Sequence, residues 1–269
     1  MKLSHNTLYY VYDPMCSWCY AFEKSLTELQ TKLPPILKFE TILGGLAADS
    51  LEPMPIATQD MIKGAWQNIE KTVPDIHFNY DFWTNNTPLR STYPACRAIL
   101  AAEKQGLAFS APLRKAIQTA YYQKAQNPSL SSTLQRCAEK IKLNLERFSI
   151  DFESDEIALQ LAAHIEFSQQ LNASSYPSLR LVLNETVYVI PINYTQIAPT
   201  LNRIEQLISQ HNSQAIQSPC VGKCCLNESD VCLGCFRQLD EITHWQSYTE
   251  TEKQQILNNI KQRKPQAMS

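Results

Sequence analysis

The sequence predicts an α/β protein with a mostly helical middle section and a small cysteine-rich segment near its C-terminal end. Three observations lead to this prediction. A strand, a helix and a second strand open the chain, a long helical stretch follows them, and five of the nine cysteines lie within residues 220–235. Glycine is also scarce, with 6 residues in 269, which favours a helix-rich fold over an all-β fold with many tight turns.

The first three elements are strongly patterned. Residues 7–13 predict a strand because strong β-formers occupy most of it, and Asp13-Pro14 ends it. The next apolar residues are spaced i, i+4, i+7 and i+11, as on one face of a helix. They are Phe22, Leu26, Leu29 and Leu33. Pro34-Pro35 stops this helix, residues 36–43 predict a second strand, and Gly44-Gly45 closes the unit.

Helices are expected over most of residues 57–171. The clearest of them begins at Ser154, a good N-cap residue that is followed by two acidic residues. Two short β-runs at 178–183 and 186–190 then predict a hairpin, and a helix is expected over about 194–210.

The end of the chain predicts a second, smaller domain. Residues 1–210 form the first domain in this interpretation, and the polar residues 211–217 form a linker. Residues 218–265 form the cysteine-rich module, in which Thr249 and Glu252 have the spacing of a capping box that opens a final helix.

Charge and hydropathy exclude several classes of function. The formal net charge is −2, so no basic excess favours nucleic acid or an anionic membrane as a partner. No apolar run approaches the roughly 18 residues of a membrane span, and the N-terminal residues lack the features of a secretory signal. We therefore expect a cytoplasmic protein. No Gly-rich nucleotide-binding motif is present, so no nucleotide cofactor is expected.

Cys16 and Cys19 form a C-x-x-C motif where the first strand meets the first helix. Their spacing places both sulfurs within bonding reach on the first helical turn. A helix N-terminus favours a thiolate at the first position, so Cys16 is the predicted attacking thiol and Cys19 the resolving one. The alternative is half of a zinc site, but no other cysteine or histidine outside the C-terminal cluster shows paired spacing. Redox chemistry is the favoured interpretation.

The segment Tyr12–Phe22 resembles the active-site segment of DsbA-like thioredoxin-fold oxidoreductases, near the FrnE-type branch. The resemblance continues through Leu43–Leu46, Phe82-Trp83, Ser91–Ala98 and Tyr176–Leu179, and so covers roughly residues 7–210. It implies a thioredoxin fold with a large helical insertion, here at about 57–171.

The resemblance also implies a substrate site. Pro177 matches a cis proline that faces the C-x-x-C motif, and the backbone of Tyr176 would pair with an extended substrate peptide beside Cys16. We also expect Trp18 to contact substrate. Two departures stand out: Tyr10 occupies the place where many thioredoxins carry a buried acid, and the dipeptide between the cysteines is Ser17-Trp18.

Cys220, Cys224, Cys232 and Cys235 form two close pairs, which is the pattern of a metal site. Thiolate ligands suit zinc and an iron–sulfur cluster equally well. This segment resembles a small domain family of unknown function that is described as an iron–sulfur type, and Cys225 is an extra cysteine that could replace Cys224. The alternative is that these thiols form disulfides or remain free.

The leading hypothesis is a thiol–disulfide oxidoreductase or isomerase that acts on protein or small-molecule disulfides, with glutathione or a thioredoxin-type protein as its reductant. A second hypothesis is a thioredoxin-fold binding protein or chaperone-like adaptor that works through its metal module. A third is a glutathione-dependent isomerase or transferase on the same fold. Two further cysteines fall in predicted helices and are expected to pack in the core: Cys96 and Cys137. His164 is also expected to have a structural role.

Overall fold

The computed structural model describes residues 1–214 and 216–266 of the chain. They divide into two compact units. The first comprises residues 1–182 and 187–204, and the second comprises 183–186 and the chain from 205 onward. No helix in the described ranges is both long enough and apolar enough to cross a membrane.

The four strands of the sheet lie in the order β2-β1-β3-β4. Strand β1 (Thr7–Tyr12) pairs in parallel with β2 (Lys38–Leu43) and antiparallel with β3 (Ser178–Leu183), while β4 (Thr186–Ile190) lies at the edge. All six residues of β1 are buried, because this strand is central and covered on both faces. The C-x-x-C motif therefore follows a fully buried strand.

The two faces of β1 pack against different helices because side chains alternate along a strand. Tyr9 and Val11 belong to a core cluster that includes Phe167 of a later helix. On the other face, the Tyr10 ring lies 6.0 Å from the ring of Phe22 in helix α1, which spans Ser17–Lys32. Helix α1 thus begins at the C-terminal end of β1 and runs back across the sheet.

Seven α-helices lie between β2 and β3, which confirms the large helical insertion into the thioredoxin fold. They are α2 (Ile56–Thr72), α3 (Phe82–Asn85), α4 (Tyr93–Glu103), α5 (Ser110–Gln118), α6 (Ser131–Lys140), α7 (Leu145–Phe152) and α8 (Asp155–Gln170). Helix α8 begins where the sequence predicts, since the Ser154 hydroxyl accepts a hydrogen bond from the backbone N–H of Ile157 at 3.3 Å. A short 3₁₀ turn (Leu107–Phe109) precedes α5.

A π-helical turn (Thr119–Gln123) continues α5. Such turns add one residue to a helical turn and redirect the side chains that follow. Here the turn places Tyr122 in the core, where its hydroxyl donates to the carbonyl of Met15 at 2.7 Å. The loop before the C-x-x-C motif is therefore hydrogen-bonded to a tyrosine of the helical insertion.

Helix α9 (Ala198–Gln214) differs from the prediction in its position. It begins later than residue 194 and continues through the first four residues of the segment 211–217 that we expected to be a linker, so that part of the expectation is wrong. Polar composition alone does not separate an exposed helical turn from a linker. Ala215, within the same segment, lies outside the described residues.

The second unit contains the short helix α10 (Leu239–Thr243) and the final helix α11 (Glu250–Gln266). The predicted capping box is present: Thr249 Oγ1 accepts from the N–H of Glu252 at 3.2 Å, and Glu252 Oε2 accepts from the N–H of Thr249 at 2.7 Å. A second capping box, formed by Gln238 and Glu241, opens α10.

Candidate active site

Cys16 is the N-cap residue of α1, and Cys19 lies one turn into the helix. The Cys16 residue keeps 8% of its surface exposed, whereas Cys19 is fully buried. Burial, together with the neighbouring sulfur of Cys16, raises the pKa of Cys19 well above its usual value. Of the two cysteines, Cys16 is therefore the one that keeps some contact with solvent.

Tyr176 and Pro177 face this motif across the sheet. The peptide bond between them is cis, as the resemblance implies, and the Cys16 Sγ lies 3.3 Å from the carbonyl oxygen of Tyr176, to which it donates. The Tyr176 hydroxyl donates to the carbonyl of Gly44 at 2.8 Å. A Cβ at Gly44 would lie 2.1 Å from the Tyr176 ring, so only glycine allows this close packing.

Asp13 is a functional residue that sequence reasoning missed. Its carboxylate is fully buried and accepts hydrogen bonds from the N–H of Met15 at 2.8 Å, the N–H of Leu46 at 2.7 Å and the hydroxyl of Thr92 at 2.6 Å. The thiol of Cys96 adds a longer contact at 3.6 Å. Burial raises the pKa of this carboxyl, and the hydrogen bonds oppose that effect.

Through these hydrogen bonds, the Asp13 carboxylate connects the loop before the C-x-x-C motif, the loop after β2 and the start of α4. The signal available in the sequence is an acidic residue directly after a strand whose last five residues are all apolar or aromatic. We had assigned that residue only the role of ending the strand.

Aromatic side chains surround the two thiols. The Trp18 ring lies 4.9 Å from the ring of Tyr194, which follows β4, and the Ser25 hydroxyl donates to the Tyr194 carbonyl at 2.9 Å. Burial raises the pKa of Tyr194, and the charges of Cys19 and Cys16 raise it further. Tyr194 therefore lies close to both thiols, although it is far from them in sequence.

The remaining residues that the sequence singled out belong to the core. Cys96 and Cys137 are buried in helices, and burial lowers the pKa of His164 to about 4 while its Nδ1 accepts from the N–H of Leu43 at 3.3 Å. These three residues have the structural roles that we expected. Trp66 and Phe82 are also buried, with ring centroids 6.2 Å apart.

The cysteine cluster of the second unit is built from two loops. Cys232 and Cys235 are buried, whereas Cys220 and Cys224 are exposed. Gly234 lets the loops approach closely, because a Cβ there would lie 2.6 Å from the carbonyl oxygen of Lys223. The loop that carries Cys232 and Cys235 therefore lies against the backbone of Lys223, next to Cys224.

Hydrogen-bond donors point at these sulfurs. Arg237 is buried, its Nε lies 3.4 Å from Cys235 Sγ, and its guanidinium lies 4.9 Å from the centre of the Trp245 ring. The N–H of Gly222 donates to Cys220 Sγ at 3.5 Å. Hydrogen bonds from the backbone of Cys235 and its neighbours lower the pKa of Cys232 to about 7.

The donor set has the chemistry of a thiolate metal site. The pKa of Cys224 is raised first by the charge of Cys220, and also by the charges of Cys232 and Cys235. Cys225 instead contributes its main chain, whose carbonyl accepts from the N–H of Leu233 at 2.8 Å. Within the described ranges, no three side chains of the metal-binding types are yet arranged to hold an ion.

Residues 9–190 match the family described as thioredoxin. The chain belongs to this thioredoxin family. Residues 218–264 match a second family, described as a protein of unknown function, DUF1289. The thioredoxin domain thus carries the C-x-x-C motif, and the DUF1289 region carries the cysteine cluster.

The thioredoxin-family domain is similar to proteins of several kinds. A ClpXP adapter protein, SpxH, from Halalkalibacterium halodurans is 25% identical over 175 residues, which are 64% of this chain and 56% of that relative. The chain thus spans only a little over half the length of this curated relative. The DUF1289 region is 44% identical over 48 residues to the uncharacterised protein YdhL of Escherichia coli, covering 18% of this chain and 61% of YdhL.

Two solved structures show the same fold. A provisionally assigned protein disulfide isomerase from Nitrosomonas europaea has a TM-score of 0.68 and 24% sequence identity to this chain. The aligned region covers 77% of this chain and 100% of the isomerase chain. The cytosolic disulfide reductase DsbM from Pseudomonas aeruginosa has a TM-score of 0.60 and 19% identity, and covers 76% of this chain and 99% of its own. The chain therefore has the thioredoxin-like fold of these two structures.

Proposed function

We propose that the chain catalyses thiol–disulfide exchange through Cys16 and Cys19. The observation that carries this proposal is the Cys16 sulfur at the start of α1, which donates to the Tyr176 carbonyl at 3.3 Å, one helical turn before the fully buried Cys19. A substrate strand beside Tyr176 would lie along the cysteine that attacks it.

The roles of the residues follow from their exposure. Cys16 attacks a substrate disulfide and forms a mixed disulfide, and Cys19 attacks the sulfur of Cys16 and releases the substrate as a thiol. Trp18 and Tyr194 form an aromatic wall next to the reacting sulfurs, suited to apolar side chains of an unfolded or flexible substrate. Tyr176 and Pro177 position the substrate backbone.

We further propose that the pair works as a reductase or isomerase in the cytoplasm, with glutathione or a thioredoxin-type protein as reductant. Support comes from the neighbour that is named a cytosolic disulfide reductase and shares this fold. The name of that neighbour describes the neighbour alone. In this chain, the reduction potential of the Cys16–Cys19 pair decides the direction of electron flow.

The decisive experiment equilibrates the full chain in glutathione buffers, traps thiols and quantifies the Cys16–Cys19 disulfide by peptide mass spectrometry. A reversible couple near about −270 mV indicates a reductase, and one near about −120 to −180 mV an oxidase or isomerase. Cys16→Ser should abolish the couple, while the matched control Cys137→Ser should leave it unchanged. A wild-type pair that does not cycle reversibly contradicts the proposal.

We propose also that Cys220, Cys224, Cys232 and Cys235 hold one metal centre, either zinc or an iron–sulfur cluster. The buried pair, with Arg237 donating to Cys235, forms one half of the proposed site, and the exposed pair closes on it when the metal binds. A bound metal would cross-link the two loops and stabilise a segment with little core of its own.

The test of the metal proposal uses anaerobically purified chain, elemental analysis, sulfide determination and the visible absorption spectrum. Cys224→Ser should lose the metal, and Cys225→Ser should retain it, because the proposed ligand set contains Cys224 and not Cys225. Wild-type protein without zinc, iron or sulfide contradicts the proposal. Equal losses in the two variants would contradict this choice of ligands.

A second candidate function is that of a binding adaptor. The observation that favours it is the similarity to a ClpXP adapter protein over 64% of this chain. Partner binding that survives Cys16→Ser, together with an absence of disulfide turnover in the wild type, would support the adaptor over the enzyme.

A further inference from the structure

A groove of about 410 Å³ lies between α4 and α8 in the first unit. Tyr93 and Arg97, which are four residues apart on α4, line one side of it. The other side is a single face of α8, because its lining residues recur every three or four positions. They are Ala158, Leu161, Ala162, Ile165, Glu166 and Gln169. None of the residues assigned a role in thiol–disulfide exchange lines this groove.

The groove begins next to the loop that holds Tyr176. Both Tyr93 and Ile165 pack against Gly45, since a Cβ at this glycine would lie 2.9 Å from Tyr93 Cε1 and 2.6 Å from Ile165 Cδ1. The carbonyl of the preceding residue, Gly44, accepts from the Tyr176 hydroxyl at 2.8 Å. The Tyr176 carbonyl in turn accepts from the first thiol of the C-x-x-C motif at 3.3 Å. One tyrosine therefore connects the attacking thiol with the mouth of the groove.

A substrate chain beside Tyr176 can reach this groove. The Tyr176 side chain and one residue of the loop after β2 separate the thiol from the groove. An extended chain advances about 3.3 Å per residue, so the second or third residue from the substrate cysteine lies about 7–10 Å from it. The side chain of such a residue is the one that would enter the groove.

The groove combines an apolar floor with an acidic rim. On α8, Leu161 is buried and Ile165 is half-buried, whereas Ala162 and Glu166 are exposed. Within residues 1–214 and 216–266, the Glu166 carboxylate has no ion-pair or hydrogen-bond partner. It is therefore available to a cation that a ligand brings.

Arg97, the cationic side chain in the groove wall, is already paired. Asp49 accepts from Arg97 Nη1 at 2.7 Å and from Nη2 at 3.0 Å, and the Arg97 side chain is 20% exposed. Such a two-bond pair neutralises the guanidinium and fixes its orientation. The charge that remains in the groove is the negative charge of Glu166, beside an apolar surface.

We propose that this groove is a substrate subsite that binds a lysine or arginine side chain two or three residues from the attacked cysteine. The aliphatic part of that side chain would lie on Leu161, Ala162 and Ile165, and its cationic end would pair with Glu166. An acidic side chain at the same place would be repelled by the Glu166 carboxylate. This inference rests on the proposed function, and it makes Glu166 a specificity-determining residue for peptide substrates.

The test measures the first step of exchange on the full reduced chain under single-turnover conditions. Each substrate is a disulfide-linked homodimer of one peptide, so attack on either sulfur gives the same products. The Cys16 thiolate attacks one peptide sulfur, the peptide disulfide breaks, and the second peptide leaves as a thiolate with the bonding electron pair. Acid quench and peptide mass spectrometry then quantify the mixed disulfide at Cys16, which keeps the other cysteines out of the signal.

The peptides differ in one residue, which is lysine, norleucine, glutamate or alanine, placed in turn two and three positions before and after the cysteine. Norleucine keeps the apolar stem of lysine and lacks its charge. At the position that enters the groove, lysine should react about threefold faster than norleucine and about tenfold faster than glutamate at low salt. Norleucine should exceed alanine by about threefold, because its stem is buried. High salt should reduce only the preference for lysine, since salt screens the ion pair.

Four variants assign these preferences to the groove. Glu166→Gln should abolish the preference for lysine over norleucine, and Glu166→Lys should favour the glutamate peptide instead. Ala162→Trp should fill the groove and remove the advantage of norleucine over alanine. Glu139→Gln, which removes an exposed carboxylate of α6 outside the groove, is the matched control and should keep every ratio. Because each variant is compared by ratios between peptides, a change in the amount of folded protein cancels.

The outcomes separate the subsite from the exchange activity. Equal rates for the lysine, norleucine and glutamate peptides at every position, with exchange still proceeding, overturn the subsite and leave the proposed function standing. A lysine preference that is unchanged in both Glu166→Gln and Glu166→Lys overturns its assignment to this groove. A wild-type chain that forms no mixed disulfide at Cys16 with any of the peptides overturns the proposed function itself.

Discussion

Replacement of Asp13 by alanine tests whether this buried carboxylate organises the active-site loop. The change leaves the N–H groups of Met15 and Leu46 without their acceptor, whereas the Thr92 hydroxyl can turn to the Ala47 carbonyl at 3.3 Å. Each unsatisfied buried donor costs about 1–3 kcal/mol. Removing a carboxyl whose pKa is raised by burial offsets part of that loss. We expect a net loss of about 3 kcal/mol in the free energy of unfolding.

The assay is urea denaturation at pH 7 in reducing buffer, followed by far-UV circular dichroism. Because the chain has two compact units, amide hydrogen exchange at Met15 and Leu46 provides a local reading that does not assume a single transition. Both amides should exchange faster in Asp13→Ala. The control is Asp49→Ala, which removes an exposed aspartate paired with Arg97 and should cost at most about 1 kcal/mol.

A loss no larger than that of the Asp49 control, with both amides still protected, would refute the reasoning. It would mean that other groups or water satisfy the two donors without the carboxylate. A large loss with unchanged exchange at the two amides would place the effect elsewhere in the domain.

Three further predictions follow from the geometry. Burial lowers the pKa of His164 from 6.5 to about 4 on folding, so below pH 6.5 the unfolded state binds a proton that the folded state does not. The free energy of unfolding should therefore fall by about 3 kcal/mol as the pH drops from about 6.5 to 4. In His164→Gln, the urea midpoint should depend less on pH over this range. Arg237→Met should weaken retention of the proposed metal by about 10–100-fold in a chelator competition, because it removes the donor to Cys235, and unchanged retention would contradict that role. Tyr194→Ala should raise KM more than it lowers kcat for an aromatic peptide disulfide, since it removes half of the wall that it forms with Trp18; an unchanged KM would argue against substrate contact.

The local elements were predictable because their signals are local. The hairpin strands Ser178–Leu183 and Thr186–Ile190 have the predicted bounds, since β-formers fill them and Asn184-Glu185 separates them. The caps at Ser154 and Thr249 also appear as predicted, because each depends on residues within one turn of the chain. The end of helix α9 was not predictable in this way, because its last turn is polar and resembles a linker.

The position of the C-x-x-C motif was predictable for the same reason. Because the motif lies where a strand turns into a helix, Cys16 is at the helix start and Cys19 is one turn inside it. This local geometry predicts that Cys16 is the more exposed of the two. The cysteine spacing likewise predicts four metal ligands in the second unit, and this stays a prediction. The spacing does not decide between Cys224 and Cys225, because the two are adjacent in sequence.

The sequence by itself predicted the strands, the helical character of the middle section and the position of the C-x-x-C motif, because periodicity, caps and short spacings are properties of neighbouring residues. Only the tertiary structure decided what surrounds those thiols. Three contacts near them join residues that are far apart in the chain: Asp13 with Thr92, Glu23 with Arg114, and Trp18 with Tyr194. Such contacts depend on how helices and strands pack, and no local pattern of residues specifies them.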